Sequence, residues 1–146
     1  MSQRLILLVE DQQDDVDLTL RAFSKSNVPH EIVTVRDGQQ ALDFLFSTGG
    51  YAGRDRTLVP SVVLLDLNIP KVNGLEVLRR MRADERTRLI PVVVLTSSSL
   101  DGDVSDCYCT GANSFVRKPV NFSEFVETAD GLGRYWLELN RSARAA

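Results

Sequence analysis

Three apolar runs in this chain each end in a polar group able to do chemistry. Leu5–Val9 ends in Glu10-Asp11, Val62–Leu65 in Asp66, and Val92–Leu95 in Thr96-Ser97. A fourth short run, Ser114–Arg117, ends in Lys118-Pro119. One strand-end acid is ordinarily a turn former or a cap. A hydroxyl, an ammonium and acids at successive strand exits form a set that chance rarely supplies. Carboxylates brought together repel, so one must hold a proton or the group must hold a cation. An oxygen-rich cluster with room for waters suits Mg²⁺, which bridges carboxylates to phosphate oxygens. The implied chemistry is phosphoryl transfer onto an aspartate, with Asp66 as nucleophile and Lys118 absorbing charge. Thr96 is placed to hydrogen-bond a phosphoryl oxygen.

Convergence of these groups requires a particular fold. Strands are expected at Arg4–Val9, Glu31–Val35, Ser61–Leu65, Val92–Leu95 and Ser114–Arg117. Helices are expected at Asp14–Ser26, Gln39–Phe46, Gly74–Ala83, Leu100–Cys109 and Asn121–Leu139. Strict alternation of short apolar strands with amphipathic helices predicts a parallel sheet covered on both faces. Right-handed crossovers then favour an α/β, doubly wound, five-stranded sheet of order 2-1-3-4-5, which binds ligands beyond its strand C-terminal ends. Residues 47–60, STGGYAGRDRTLVP, are long for a helix-to-strand connection. They read either as a tolerated surface insertion or as a partner contact.

The 146 residues predict one domain, 1–146, with its core over about 4–139 and no output domain; the tail NRSARAA reads as frayed. A net charge of -3 argues against nucleic-acid binding, which favours basic surfaces. The N-terminal apolar run is too short for a signal sequence or a membrane span, so a cytoplasmic protein is expected. Cys107 and Cys109 on one helix point in different directions, so no mutual disulfide is expected and they read as structural thiols.

The motifs LLVEDQQDD, VVLLDLNIPKVNGLEVL, VVVLTSSS and FVRKPVNFSEF, in this order, resemble the receiver domain of two-component response regulators. The resemblance spans about residues 4–139 and implies a flavodoxin-like receiver fold. It implies a phosphoacceptor at Asp66, Mg²⁺ held by Glu10, Asp11, Asp66 and the Asn68 backbone carbonyl, and switch residues at Thr96 and Phe115. Lys118 matches the lysine that precedes a proline through a bond commonly cis in that family. The partner implied is a sensor histidine kinase, and the switched surface is helix 4, strand 5 and helix 5. Such a protein performs self-catalysed phosphotransfer and slow autodephosphorylation but is not an enzyme in the ordinary sense. The insertion and the segment GRYWLELN are similar to small regulators paired with bacterial phytochrome kinases, which implies a bacteriophytochrome partner.

The last helix has one apolar stripe, Phe122, Phe125, Val126, Ala129, Leu132 and Trp136, expected to face the core. Tyr135, Leu137 and Leu139 spread beyond it, and apolar surface beyond one stripe often covers another chain. A homodimer through Phe125, Leu132, Tyr135, Trp136 and Leu139 is therefore expected. Other readings fare worse. A flavin carrier has no use for Glu10-Asp11 in its phosphate loop, and no P-loop motif is present. A dehalogenase-type phosphatase needs an acid where Asn68 stands. A phosphorylation-independent binding module and a phosphate sink remain as alternatives.

Overall fold

The computed structural model describes residues 4–25, 29–97 and 100–143. Five parallel strands lie in the order β2-β1-β3-β4-β5. They are β1 (Arg4–Val9), β2 (His30–Val35), β3 (Val62–Leu65), β4 (Val92–Thr96) and β5 (Ser114–Arg117). The helices are α1 (Gln13–Phe23), α2 (Gly38–Phe46), α3 (Gly74–Ala83), α4 (Asp101–Thr110) and α5 (Phe122–Gly133). Element order and topology match the sequence reading, with ends moved by up to three residues except in the last helix, which is α-helical only to Gly133. The expected end of the first helix at Ser26, and the last three residues of the expected frayed tail, lie outside the described residues. Residues 47–60 carry one short 3₁₀ turn, Gly49–Tyr51.

Alternation along β1 sorts the core into two layers, because successive side chains leave opposite faces of a strand. Leu5, Leu7 and Val9 join Leu42, Phe44, Leu45, Val77, Leu78 and Met81 under α2 and α3. Ile6 and Leu8 join Val16, Phe23, Trp136 and Leu137 under α1 and the end of α5. Asp37, Asn73 and Asn121 cap α2, α3 and α5 through bonds from the Gln40, Glu76 and Glu124 amides. Helix α4 is held more thinly, with Cys107 its one fully covered residue. Burial suits a structural thiol at Cys107, whereas Cys109 is exposed.

The end of the chain corrects the expected stripe. After Gly133 the helix widens into a π-helical segment, Arg134–Leu139. A π turn advances roughly 80° per residue against about 100° in an α-helix, so the buried face shifts along the sequence. Leu137, expected outside, is completely buried, and Trp136 sits at the margin of the same cluster. Phe122, expected inside, is 52% exposed, beside the buried line of Phe125, Ala129 and Gly133, with the Arg21 guanidinium 5.9 Å from its ring. Of the expected dimer residues, Phe125 and Trp136 belong to the chain's own core and Leu132 packs against it, whereas Tyr135 and Leu139 face outward. Gly133 marks a close approach, since a Cβ there meets the Phe23 ring at 2.8 Å, while Gly131 borders open space. No described peptide bond is cis, so Lys118–Pro119 is trans, not the cis bond implied by the resemblance. Trans is the ordinary X–Pro preference by about 0.5–1 kcal/mol.

Candidate metal and phosphoacceptor site

The parallel register brings Val9, Leu65 and Val94 level, so β1 and β3 release Glu10 and Asp66 side by side. β4 runs two residues further, to Thr96, which pairs with Arg117 at the end of β5, and β5 then delivers Lys118. All of the expected side chains except Phe115 meet here, and Glu10, Asp66, Thr96 and Lys118 are buried. Lys118 is the hub. Its Nζ donates to Glu10 Oε1, to Asp15 Oδ2 at 2.8 Å and to Asp66 Oδ2 at 2.9 Å. Thr96 Oγ1 donates to Asp66 Oδ1 at 3.0 Å, and the Asn68 amide donates to the same oxygen at 3.1 Å. The Gln12 amide donates to Glu10 Oε2 at 3.2 Å.

These contacts divide the roles of the two buried acids. Burial raises the Asp66 carboxyl, but the Lys118 hydrogen bond and charge, helped by the Asn68 amide, outweigh it and leave it below the usual carboxylate range. Burial and the neighbouring charge of Asp66 instead push Glu10 up to about 7, against the opposing pull of Lys118. Burial alone lowers an ammonium, yet bonds to Asp15, Glu10 and Asp66 carry Lys118 above its ordinary value. Of the two, Glu10 is therefore the acid that takes up a proton more readily, and Asp66 the one that resists it.

One ammonium serves three acids, Glu10, Asp15 and Asp66, and a fourth, Asp11, borders Glu10 and Asp66. Oxygens of Glu10, Asp11 and Asp66 lie within 4.8 Å of one another. Asp11 Oδ1 is buried and has no hydrogen-bond partner, which is costly for a carboxylate oxygen. An orphaned oxygen in an all-oxygen cluster fits a hard divalent cation. Asn68, two residues after Asp66, is exposed, and its amide donates to the Asp66 carboxylate.

Three positioning features were missed in the sequence. Asp15 stands four residues after Asp11, one helical turn along, and the DQQDD string held that signal. Gly74 brings α3 against the strand exit, since a Cβ there meets the Asp66 carbonyl oxygen at 2.4 Å. Gly38 does the same from α2, where a Cβ meets the Val72 carbonyl oxygen at 1.7 Å, and its amide donates to Pro70 O. The two glycines clamp the segment after Asp66, and no side chain fits at either point. Phe115 is half-buried on edge strand β5, where its amide donates to the Tyr108 hydroxyl at 3.2 Å.

The response regulator receiver domain family matches residues 6–130. The chain belongs to that family. Receiver-domain response regulators are signalling proteins of two-component systems that partner with histidine kinases, and receiver domains bind Mg²⁺ at an acidic pocket. The chain is 44% identical over 138 residues to the probable methanogenesis regulatory protein FilR2 of Methanothrix harundinacea, covering 94% of this chain and 86% of that one. It is 37% identical over 135 residues to the response regulator Rcp1 of Synechocystis, covering 92% and 90%. The Mn²⁺-bound form of Rcp1 aligns with a TM-score of 0.91 at 35% identity over 97% of this chain and 99% of that one. The phosphorylated cyanobacterial phytochrome response regulator RcpA aligns with a TM-score of 0.92 at 37% identity over 98% and 100%. This receiver is thus homologous to phytochrome-associated regulators. No described helix is long and apolar enough to cross a membrane.

Proposed function

We propose that this receiver accepts a phosphoryl group on Asp66 from the phosphohistidine of a sensor histidine kinase. The observation that carries this is a buried carboxylate kept ionised by Lys118 beside an acid cluster with one orphaned oxygen. Glu10, Asp11 and Asp66, with the Asn68 carbonyl, would hold Mg²⁺. Bound there, the cation offsets the negative charge of the acids and of an entering phosphoryl group. An Asp66 oxygen forms the new bond to phosphorus as the bond to the histidine nitrogen breaks. Lys118 stays beside the modified side chain and carries part of its charge, about -1.5 to -2 near neutral pH. Once Asp66 is phosphorylated, the Thr96 hydroxyl can turn from its carboxylate to a phosphoryl oxygen. That movement vacates space toward which Phe115 can turn, and the α4–β5–α5 surface repacks. Water later hydrolyses the acyl phosphate.

Intact mass after incubation with acetyl phosphate and Mg²⁺ tests this reading. The wild type should gain one phosphoryl group, while Asp66→Asn or EDTA should abolish the gain. Full labelling of Asp66→Asn would overturn the assignment.

We further infer a phytochrome-type kinase as the donor, supported by similarity to RcpA along nearly the whole chain. Transfer from a red-light-regulated histidine kinase should outpace transfer from an unrelated kinase, and equal rates would remove the inference. A homodimer through the outward Tyr135 and Leu139 completes the reading, with Phe125 and Trp136 left to the monomer core. Sedimentation at micromolar concentration should show two chains in the wild type and one in a Tyr135→Ser/Leu139→Ser double variant. A monomeric wild type would retire the dimer.

A further inference from the structure

We propose that the chain carries a second site, at the end of the sheet away from Asp66, for a small organic anion with a compact apolar body. A cavity of about 200 Å³ opens where β3 and β4 begin. Its walls come from the end of α2, the 47–60 segment and the connection from α3 to β4. Arg54, Arg56 and Arg86 line it, Leu45, Pro60 and Ile90 are among its apolar walls, and no acidic residue does so. In a chain with 20 acids against 17 lysines and arginines, that exclusion is local and specific.

Arg54 is the fixed member of the three. Its guanidinium lies 4.1 Å from the centre of the Phe44 ring. Its Nε donates to Phe44 O at 2.6 Å, and Nη1 donates to the carbonyls of Asp55 and Leu58, each at 3.0 Å. These bonds solvate its partly buried charge with dipoles, and no carboxylate among the described residues forms an ion pair with it, although the Asp55 charge is felt there. Asp55 accepts from the amide and hydroxyl of Thr57. Arg56 is exposed and enters no ion pair among the described residues. Arg86 is held by Asp84 at 2.9 Å and lies 4.9 Å from the Phe46 ring centre, so it adds a flat face more than free charge.

Arg56, whose guanidinium pairs with no carboxylate among the described residues, suits the forked, bidentate binding of a carboxylate or phosphate, and Arg54 keeps its Nη2 for one further bond. The size of the space limits the rest of the ligand. An apolar cavity of about 150 Å³ holds benzene. The present volume therefore admits one ring or an equivalent aliphatic body plus its anionic group, with the body on the apolar walls. It is below the roughly 300–1,000 Å³ usual for larger ligands. The 47–60 insertion thereby gains a role as one wall of a site, not only as a surface excursion.

The test is a ¹H–¹⁵N correlation titration of the full chain with benzoate, in EDTA so that the acid cluster holds no metal. Saturable shifts are expected in Leu45–Ser47, Arg54–Pro60 and Arg86–Ile90, with a Kd of about 1 mM. Arg56→Glu should weaken binding at least tenfold, and Arg56→Gln should weaken it less, because Arg56 is exposed and both variants keep the Arg54 framework. Benzyl alcohol and inorganic phosphate should each bind more weakly than benzoate. Shifts clustered at Asp66, scattered shifts, or none would overturn the site. Unchanged affinity in Arg56→Glu would overturn its anionic basis. Benzyl alcohol or inorganic phosphate matching benzoate would overturn the stated ligand class. Phenylphosphonate then separates the two anionic head groups: stronger binding than benzoate assigns phosphate-type ligands, and weaker binding assigns carboxylates.

Discussion

At the C-terminal ends of β1, β3 and β5 three acids hold one ammonium and a fourth borders them, while three guanidinium groups, one of them paired with Asp84, line a cavity where β3 and β4 begin whose described lining holds no acid. The two ends of one sheet thus carry opposite imbalances, built in different ways. Lys118 meets Glu10 across 108 residues of sequence and Asp66 across 52, so the acid end exists only when the whole sheet is assembled. Arg54 reaches carbonyls at most ten residues away, so most of the basic end is assembled locally. Carboxylates in a buried cluster exchange protons and cations near neutral pH, whereas guanidinium groups stay charged throughout. The acid end can respond to its surroundings, and the basic end offers a constant charge.

The largest break of this contrast is Lys118→Ala. It leaves the acids without their cation, and loss of one partner from a buried ion pair costs about 3–5 kcal/mol. Urea unfolding in EDTA should show that loss, and added Mg²⁺ should recover part of it. A midpoint equal to wild type would mean that Lys118 is not the hub. At the other end, Arg54→Ala should cost about 2 kcal/mol, through three carbonyl bonds and the contact with Phe44. Arg54→Lys should restore little, because an ammonium lacks the planar fork. Full restoration by lysine would show that only charge matters there.

A subtler measurement separates the two ends by titration. Folding holds the Glu10 proton up to about pH 7, against an ordinary value of 4.5. Between those values the folded chain binds more protons than the unfolded one, so this group makes stability fall as pH rises and level off above 7. In EDTA, Glu10→Gln should remove that fall, seen as urea midpoints at pH 5 and pH 7.5 that converge relative to wild type. Arg56→Gln should leave the pH dependence untouched and alter stability by less than about 0.5 kcal/mol. A pH slope that survives Glu10→Gln would move the proton to another acid.

Much of this arrangement was legible along the chain. Apolar strands alternating with amphipathic helices leave few topologies, and in a parallel sheet every strand exit points to one edge. That is why Glu10, Asp11, Asp66, Thr96 and Lys118 form one group from the sequence alone. Asp15 lay within a noticed motif but on a helix, where its direction depends on how α1 docks. Gly38 and Gly74 had no readable signal, since their importance is the backbone of another segment standing where a side chain would be. Leu137 was misplaced because helical periodicity assumes one turn geometry, and the chain changes it after Gly133.

By itself the sequence determined the sheet, its order and the chemical character of its functional edge, because those follow from local periodicity and from handedness rules. Tertiary structure alone decided which acid keeps the proton, which apolar residues of the last helix remain outside, and that three arginines share a cavity. These outcomes depend on burial and on distances between groups far apart in the chain, and neither quantity is defined until the layers have packed.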